Sequence, residues 1–337
     1  MSKTTILFRC QNCLTQYPKW QGKCDSCAAW NSLIEDVVVK DPKQIARGGK
    51  RTKPVSILDV DLDKNVVLDP GMSELKQVLG KGLVLGSVIL LGGEPGIGKS
   101  TLALQIAQQT AYGHKTLYIS GEESLSQIRL RAERVGKNPA DLMVLSDVNI
   151  QHVIDAIKEL KPRVIILDSI QMVSHSEIGS LAGSVNQVRF CADQLISVVK
   201  EHNIVGILIG HITKEGGLAG PKVLEHMVDV ILFLEGERNQ KYRILRSYKN
   251  RYFSTDEIGV FAMEESGMKG ISQPSELFID QSTLTSPGSI VSAVMEGSRV
   301  LLVEVQALVV KSGYGMAKRS FLGVRSEEHT SELQSPD

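Results

Sequence analysis

The stretch LLGGEPGIGKSTLALQIA, residues 90–107, holds the residues whose chemistry is easiest to read. Gly93, Glu94, Pro95, Gly96, Ile97, Gly98, Lys99, Ser100 and Thr101 form the pattern Gly-x4-Gly-Lys-Ser-Thr. It follows an apolar run and opens a helical pattern, the context that makes a P-loop. Glycines let backbone N–H groups turn inward around a phosphate, and the helix start adds partial positive charge. In this reading Lys99 reaches the β- and γ-phosphates of ATP, Ser100 offers its hydroxyl to Mg2+, and Thr101 lies near the α-phosphate. Magnesium also needs a carboxylate at a strand end. RVIILDSIQ supplies Asp168 after four apolar residues. Hydrolysis needs a carboxylate to orient water. LYISGEESLSQI ends a strand with Glu122 and Glu123. That strand is expected to lie directly beside the P-loop strand, with Glu122 facing the γ-phosphate. Glu123 reads as an acidic residue favoured at a helix start.

Four of the five cysteines crowd into residues 8–30 as Cys10-x2-Cys13 and Cys24-x2-Cys27. Two such knuckles can place four thiolates around one tetrahedral Zn2+. Two disulfides are the alternative. The first nine residues show no secretory signal, and Cys191 stands alone in a helical pattern, so a reducing cytoplasm suits the cysteines better. A four-cysteine site is closed, so the metal staples the segment together rather than catalysing. Lys19, Trp20 and Lys23 lie between the knuckles, on a surface that could meet nucleic acid or another protein.

The elements that must position these groups follow from periodicity. SVILLGG, KTLYIS, LMVLS, RVIILDS, NIVGILIG and DVILFLE are continuous apolar runs, as strands buried on both faces require. TLALQIAQQTA, IQHVIDAIKEL and VNQVRFCADQLISVVKEH between them have helical spacing. The fold class is α/β, with a mainly parallel sheet and crossover helices. The chain of 337 residues, 42% hydrophobic, suffices for about two domains beside the cysteine segment. Lysine and arginine balance aspartate and glutamate at 38 each, which argues against a wholesale nucleic-acid coat. No apolar run reaches the ~18 residues that span a membrane. The expected organisation is a zinc ribbon at 1–36, a basic linker at 37–56, an ATPase core at 57–270, and another domain beginning at 271–325. SEEHTSELQSPD, residues 326–337, resembles translated sequencing-adaptor sequence and is read as a non-native tail on a truncated chain.

The cysteine ribbon, GGEPGIGKST, YISGEES, ILDSIQ, GHITKEGGLAGPKVLEHMVD and YKNRYFSTDEIGVF occur in that order. Together they resemble the bacterial RadA (Sms) family of DNA recombination and repair ATPases, over about residues 1–325. The resemblance implies a RecA-like core, an N-terminal zinc ribbon and a C-terminal Lon-protease-like α+β domain without proteolytic activity. It also implies hexameric rings that bind single-stranded DNA and drive branch migration of recombination intermediates with RecA. Two loops would then line the channel: SIQMVSHSEIGSLAGS, and TKEGGLAGPK with Lys214 and Lys222 for phosphates. His211 would sense the γ-phosphate or fill the core. Lys249 and Arg251, two apart on an extended segment, present both cations on one face. In ring ATPases of this core such a pair reaches the neighbouring subunit's nucleotide. One position departs: the family reads Lys-Asn-Arg-Phe-Gly, where this chain has Phe253 in place of the glycine. The competing reading is a KaiC-like regulatory ATPase that binds proteins instead of DNA.

Overall fold

The apolar runs become the strands of one sheet. The computed structural model describes residues 4–10, 15–39, 56–59, 67–210, 223–236, 241–275, 279 and 287–310. The first strands belong to the ribbon: β1 (Thr4–Cys10), β2 (Gln16–Tyr17) and β3 (Leu33–Val39) pair antiparallel in the order β2-β1-β3. The core follows with β4 (Val67–Leu68), α1 (Ser73–Leu79), β5 (Leu83–Val84), β6 (Val88–Gly93) and α2 (Lys99–Thr110). Next come β7 (Thr116–Ser120), α3 (Leu125–Val135), β8 (Leu142–Ser146), α4 (Ile150–Leu160), β9 (Val164–Asp168) and α5 (Val185–Glu201). The core closes with β10 (Val205–Ile209), α6 (Val223–Met227), β11 (Val230–Glu235), β12 (Tyr242–Asn250), β13 (Ile258–Glu264) and β14 (Gly267–Gly270). β15 (Ser289–Glu296) and β16 (Arg299–Gln306) pair as a separate two-stranded sheet.

The large sheet runs β14-β13-β12-β11-β6-β10-β9-β7-β8. From β11 to β8 every pairing is parallel, and β12 to β14 add an antiparallel meander. Alternate residues of each strand face opposite layers. Ile89 and Leu91 join Leu75, Leu102, Ile106 and Ile128 on the side of α1, α2 and α3. Val88 and Leu90 join Val153, Ile157, Val188 and Leu195 on the side of α4 and α5. Burial on both faces explains why these strands carry no polar alternation.

Two expectations need correction. The strand carrying Glu122 at its end, β7, pairs with β8 and β9, not with the P-loop strand; β6 is flanked by β10 and β11. LMVLS is not buried on both faces either. As β8 it is the edge strand, and Met143 and Val144 are exposed.

The chain divides into two compact units, residues 1–274 with 295–300, and residues 275–294 with 301–337. Inside the first, Arg299 clamps Glu74 with two bonds of 2.7 and 2.8 Å, and the Val260 N–H donates to the same carboxylate at 3.0 Å. Glu74 is buried, and these partners satisfy the charge that burial would otherwise penalise. No described helix is long and apolar enough to cross a membrane.

Candidate active site and metal centre

β6 delivers its last residue, Gly93, to the loop that Lys99 closes as the first residue of α2. The turn depends on glycine at Gly96 and Gly98, with φ of 78° and 115°, a region costly for other residues. No atom lies within 4 Å of where a Gly96 Cβ would stand, so the backbone there can approach a phosphate directly. At Gly98 a Cβ would strike Met263 and Met268 from the β13–β14 hairpin, which packs on the helix start. No side chain caps α2, which leaves its first N–H groups directed to the loop. Lys99 Nζ curls into the loop and donates to the carbonyls of Gly93 (2.8 Å) and Glu94 (2.9 Å). Burial pulls its pKa below the ordinary lysine value, opposed by the charges of Asp168 and Glu122. The cradle fits a nucleotide triphosphate: N–H groups, a buried lysine and no Cβ at the centre.

Asp168 ends β9, separated from β6 by β10 alone. Its Oδ2 accepts a 2.7 Å bond from the Tyr118 hydroxyl, which itself accepts a 2.8 Å bond from Arg131. Burial, then the Asp168 charge, hold the Tyr118 phenol well above its ordinary pKa, so it remains a donor. Ser100 stands on the first turn of α2, and its hydroxyl and the Asp168 carboxylate are the kinds of oxygen that a P-loop Mg2+ site takes.

The two glutamates separate by partner. Glu123 pairs with Arg131 at 2.8 Å. Glu122 Oε1 accepts a 3.0 Å bond from Ser169, the residue after Asp168, and its charge is felt at Lys99. Glu122 therefore joins Lys99 and Asp168 although its strand is three places from β6. Sequence reading missed Tyr118 and Arg131. The available signal was a tyrosine inside a buried strand, whose hydroxyl must find a partner.

Lys249 and Arg251 lie elsewhere. Lys249 is cross-strand from Ile231, and the Arg251 N–H bonds to the Asp229 carbonyl (3.2 Å). Lys249 Nζ caps the carbonyls of Glu225 and Val228, both at 2.7 Å. Arg251 pairs with Asp229 at 3.1 Å, and this buried carboxylate also accepts from the Val88 N–H at 3.0 Å. Burial and then the Arg251 charge pull the Lys249 pKa down. Asn250 Oδ1 holds the loop by accepting from the N–H groups of Tyr252 and Phe253. Phe253 does not take a positive φ; its side chain packs over Gly80, whose own φ is 87°. The Phe253 side chain thus occupies the space that Gly80 leaves by having no Cβ. His211, Lys214 and Lys222 lie outside the described residues.

In the ribbon, the Sγ atoms of Cys10, Cys24 and Cys27 lie within 4.8 Å of one another, with Cys10 and Cys27 at 3.5 Å. Four thiolates at ~2.3 Å from a tetrahedral Zn2+ stand about 3.8 Å apart, so the cluster has the size of a zinc site. Cys13, the expected fourth ligand, lies outside the described residues. The knuckle at Cys24 is a turn closed by the Ala28 N–H on the Cys24 carbonyl (2.8 Å), with Ala28 at φ 59°. The described cysteines form no disulfide.

Comparison with known proteins completes the description. Residues 52–217 match the family described as an AAA domain, and residues 8–35 the one described as a rubredoxin metal binding domain. The chain is 43% identical over 330 residues to the DNA repair protein RadA of Bacillus subtilis (strain 168), covering 96% of this chain and 72% of that protein. The protein of the same name from Listeria monocytogenes serovar 1/2a is 45% identical over 329 residues, covering 96% and 71%. That from Streptococcus pyogenes serotype M1 is 44% identical over 326 residues, covering 96% and 72%. Among solved structures, a KaiC-like protein from Pyrococcus horikoshii OT3 superposes with a TM-score of 0.51 at 18% identity, covering 61% of this chain and 98% of that one. At that identity the likeness concerns the fold, a RecA- and KaiC-like P-loop ATPase core.

Proposed function

Because the chain belongs to the RadA family of DNA repair proteins, we propose that it binds single-stranded DNA and drives branch migration of recombination intermediates with RecA. It is an ATP hydrolase that uses ATP and Mg2+ and carries structural Zn2+. The reading places it in the cytoplasm as a homo-oligomeric ring, a hexamer, with residues 271–325 in a non-proteolytic Lon-protease-like domain.

The observation that carries the DNA reading is the common edge of the sheet. Asp168 and Ser169, beside Glu122, begin the loop at 169–184, and Gly210, at the end of β10, begins the segment at 211–222. Asp168, at the start of one candidate strand-gripping loop, and Gly210, the residue before the other, thus stand at the ends of adjacent parallel strands, at one edge. Lys99 counters phosphate charge, Ser100 and Asp168 hold Mg2+, and Glu122 orients the attacking water and takes its proton. The magnesium supplies charge stabilisation at the transferring phosphoryl group.

ATP hydrolysis by the full-length protein, with and without single-stranded DNA, tests the reading. Stimulation is expected, together with binding that weakens steeply with salt and shows little base preference. Lys222→Ala should weaken binding across all sequences and flatten the salt dependence. An ATPase rate indifferent to DNA but raised by a protein partner would favour a KaiC-like regulatory ATPase instead.

A further inference from the structure

The chain has two tryptophans, and both stand on the ribbon outside its core. That core is built from Cys10, Cys24 and Leu33, with Phe8 and Tyr17 packed against them. Trp20 is 59% and Trp30 73% exposed. Large aromatic side chains left this open on a small, stapled module call for a partner.

The two indoles are arranged together. A Cβ on Gly22 would lie 3.9 Å from an outer ring atom of Trp20 and 3.9 Å from one of Trp30. The rings therefore flank the bare backbone of Gly22, within twice that distance of each other, and no ring–ring contact pairs them. Lys23 holds its ammonium 5.6 Å from the centre of the Trp30 ring, and Lys19 is exposed beside Trp20. The metal knuckle fixes the spacing. Lys23 and Trp30 form a β-bridge at the foot of the Cys24–Cys27 turn, and the Asn31 N–H bonds to the Gly22 carbonyl at 2.7 Å.

We propose that Trp20, Trp30, Lys19 and Lys23 form a stacking platform for unpaired bases, a second contact with single-stranded DNA on the ribbon. The proposal rests on the DNA reading above and gives the zinc ribbon its role in it. Two exposed indoles, one with the Lys23 ammonium over its ring and the other next to Lys19 in the chain, supply both a stacking surface for a base and a cation for a phosphate. The buried centre of a protein interface is depleted of charge and groups its aromatic anchors with further apolar side chains. Between Cys10 and Leu33 no other large hydrophobic side chain is exposed among the described residues. Asp25 is the one acidic side chain described on this turn, and Gln21 engages it at 2.9 Å.

The experiment uses the full zinc-loaded chain and a labelled oligo-dT strand. All tryptophan emission arises from this surface, so strand binding should quench it with the same midpoint that label anisotropy reports. A duplex of equal length, with no unpaired bases, should not. Trp20→Ala and Trp30→Ala should each weaken strand binding about tenfold, with zinc content and ATP binding kept. Trp20→Phe and Trp30→Phe should retain most of the affinity. If the strand binds by anisotropy while indole emission stays constant and both alanine variants bind normally, the platform fails and the DNA reading stands. Absence of any strand binding overturns both. An emission change produced by a protein partner and not by the strand assigns the surface to protein recognition and overturns the proposal.

Discussion

At the residue scale the decisive contrast lies between neighbours. Glu122 is turned to Ser169 and Lys99, whereas Glu123 is held by Arg131. Glu122→Gln should keep ATP binding and lower turnover about 10²- to 10⁴-fold, the contribution of a positioned base. Glu123→Gln should lower the melting temperature and spare most of the turnover. Full turnover in Glu122→Gln would move the role to its neighbour. Tyr118 aims its proton at Asp168 from inside the sheet. Tyr118→Phe should raise the Mg2+ concentration needed for half-maximal hydrolysis, with turnover at saturating Mg2+ close to wild type. A Mg2+ titration unchanged by the substitution would reduce that hydroxyl to a packing role. Burial pushes the Cys191 thiol up to about 12, so it stays protonated far above neutral pH. A thiol reagent at pH 8 should leave it unmodified until the core unfolds; rapid labelling in the native protein would contradict this burial.

At the element scale the ribbon and the core draw stability from different sources. The ribbon's described apolar interior is one small cluster around Cys10, Cys24 and Leu33. Its folding free energy is therefore expected to come from metal binding, ~10–16 kcal/mol apparent in zinc-finger peptides. Cys13→Ser should release zinc and unfold the ribbon, seen as loss of metal and rapid proteolysis within residues 1–36, while nucleotide binding persists. Retention of one zinc per chain by this variant would remove Cys13 from the ligand set. Much of this organisation was legible in the sequence, because spacing encodes it. The knuckles, the Gly-rich loop and the apolar runs are local patterns, and β6, β7, β9, β10 and β11 fall where those runs do. Sheet order was not legible. An apolar run announces a strand without naming its neighbours, so the expected pairing of β7 with the P-loop strand β6 fails: β10 and β9 lie between them. For the same reason β8 reads as buried on both faces when Met143 and Val144 are exposed at the sheet edge, since an apolar run does not say what covers it. The route from Tyr118 through Arg131 to Glu123 joins a strand, a helix and a loop, which no spacing rule connects.

At the scale of the whole molecule the geometry constrains what Lys249 and Arg251 can do. The P-loop springs from Gly93 at the end of β6, whereas Arg251 is tied to Asp229, whose N–H bonds to the Val88 carbonyl at the start of that strand. Five residues of extended chain separate the two ends, about 16 Å at ~3.3 Å per residue. Arg251 at this place cannot reach the phosphates bound by its own Lys99. Within one chain these cations cap α6 and neutralise Asp229, which is a sufficient structural role. A catalytic role requires a second chain that presents its P-loop to this edge, as the proposed ring does. Arg suits the task because its planar guanidinium can clamp two phosphate oxygens, and an arginine finger supplied in trans contributes about 10³ to 10⁵ in GTPases. Mixing separates the two roles. Arg251→Ala keeps a sound P-loop, and Lys99→Ala keeps a sound Arg251. Each alone should be nearly inactive with DNA, and mixed rings should regain activity where an intact Arg251 faces an intact P-loop. Co-assembly without any recovery would defeat the trans assignment. If Arg251→Ala alone hydrolyses ATP normally but melts at lower temperature, the Asp229 pairing is the whole of its function.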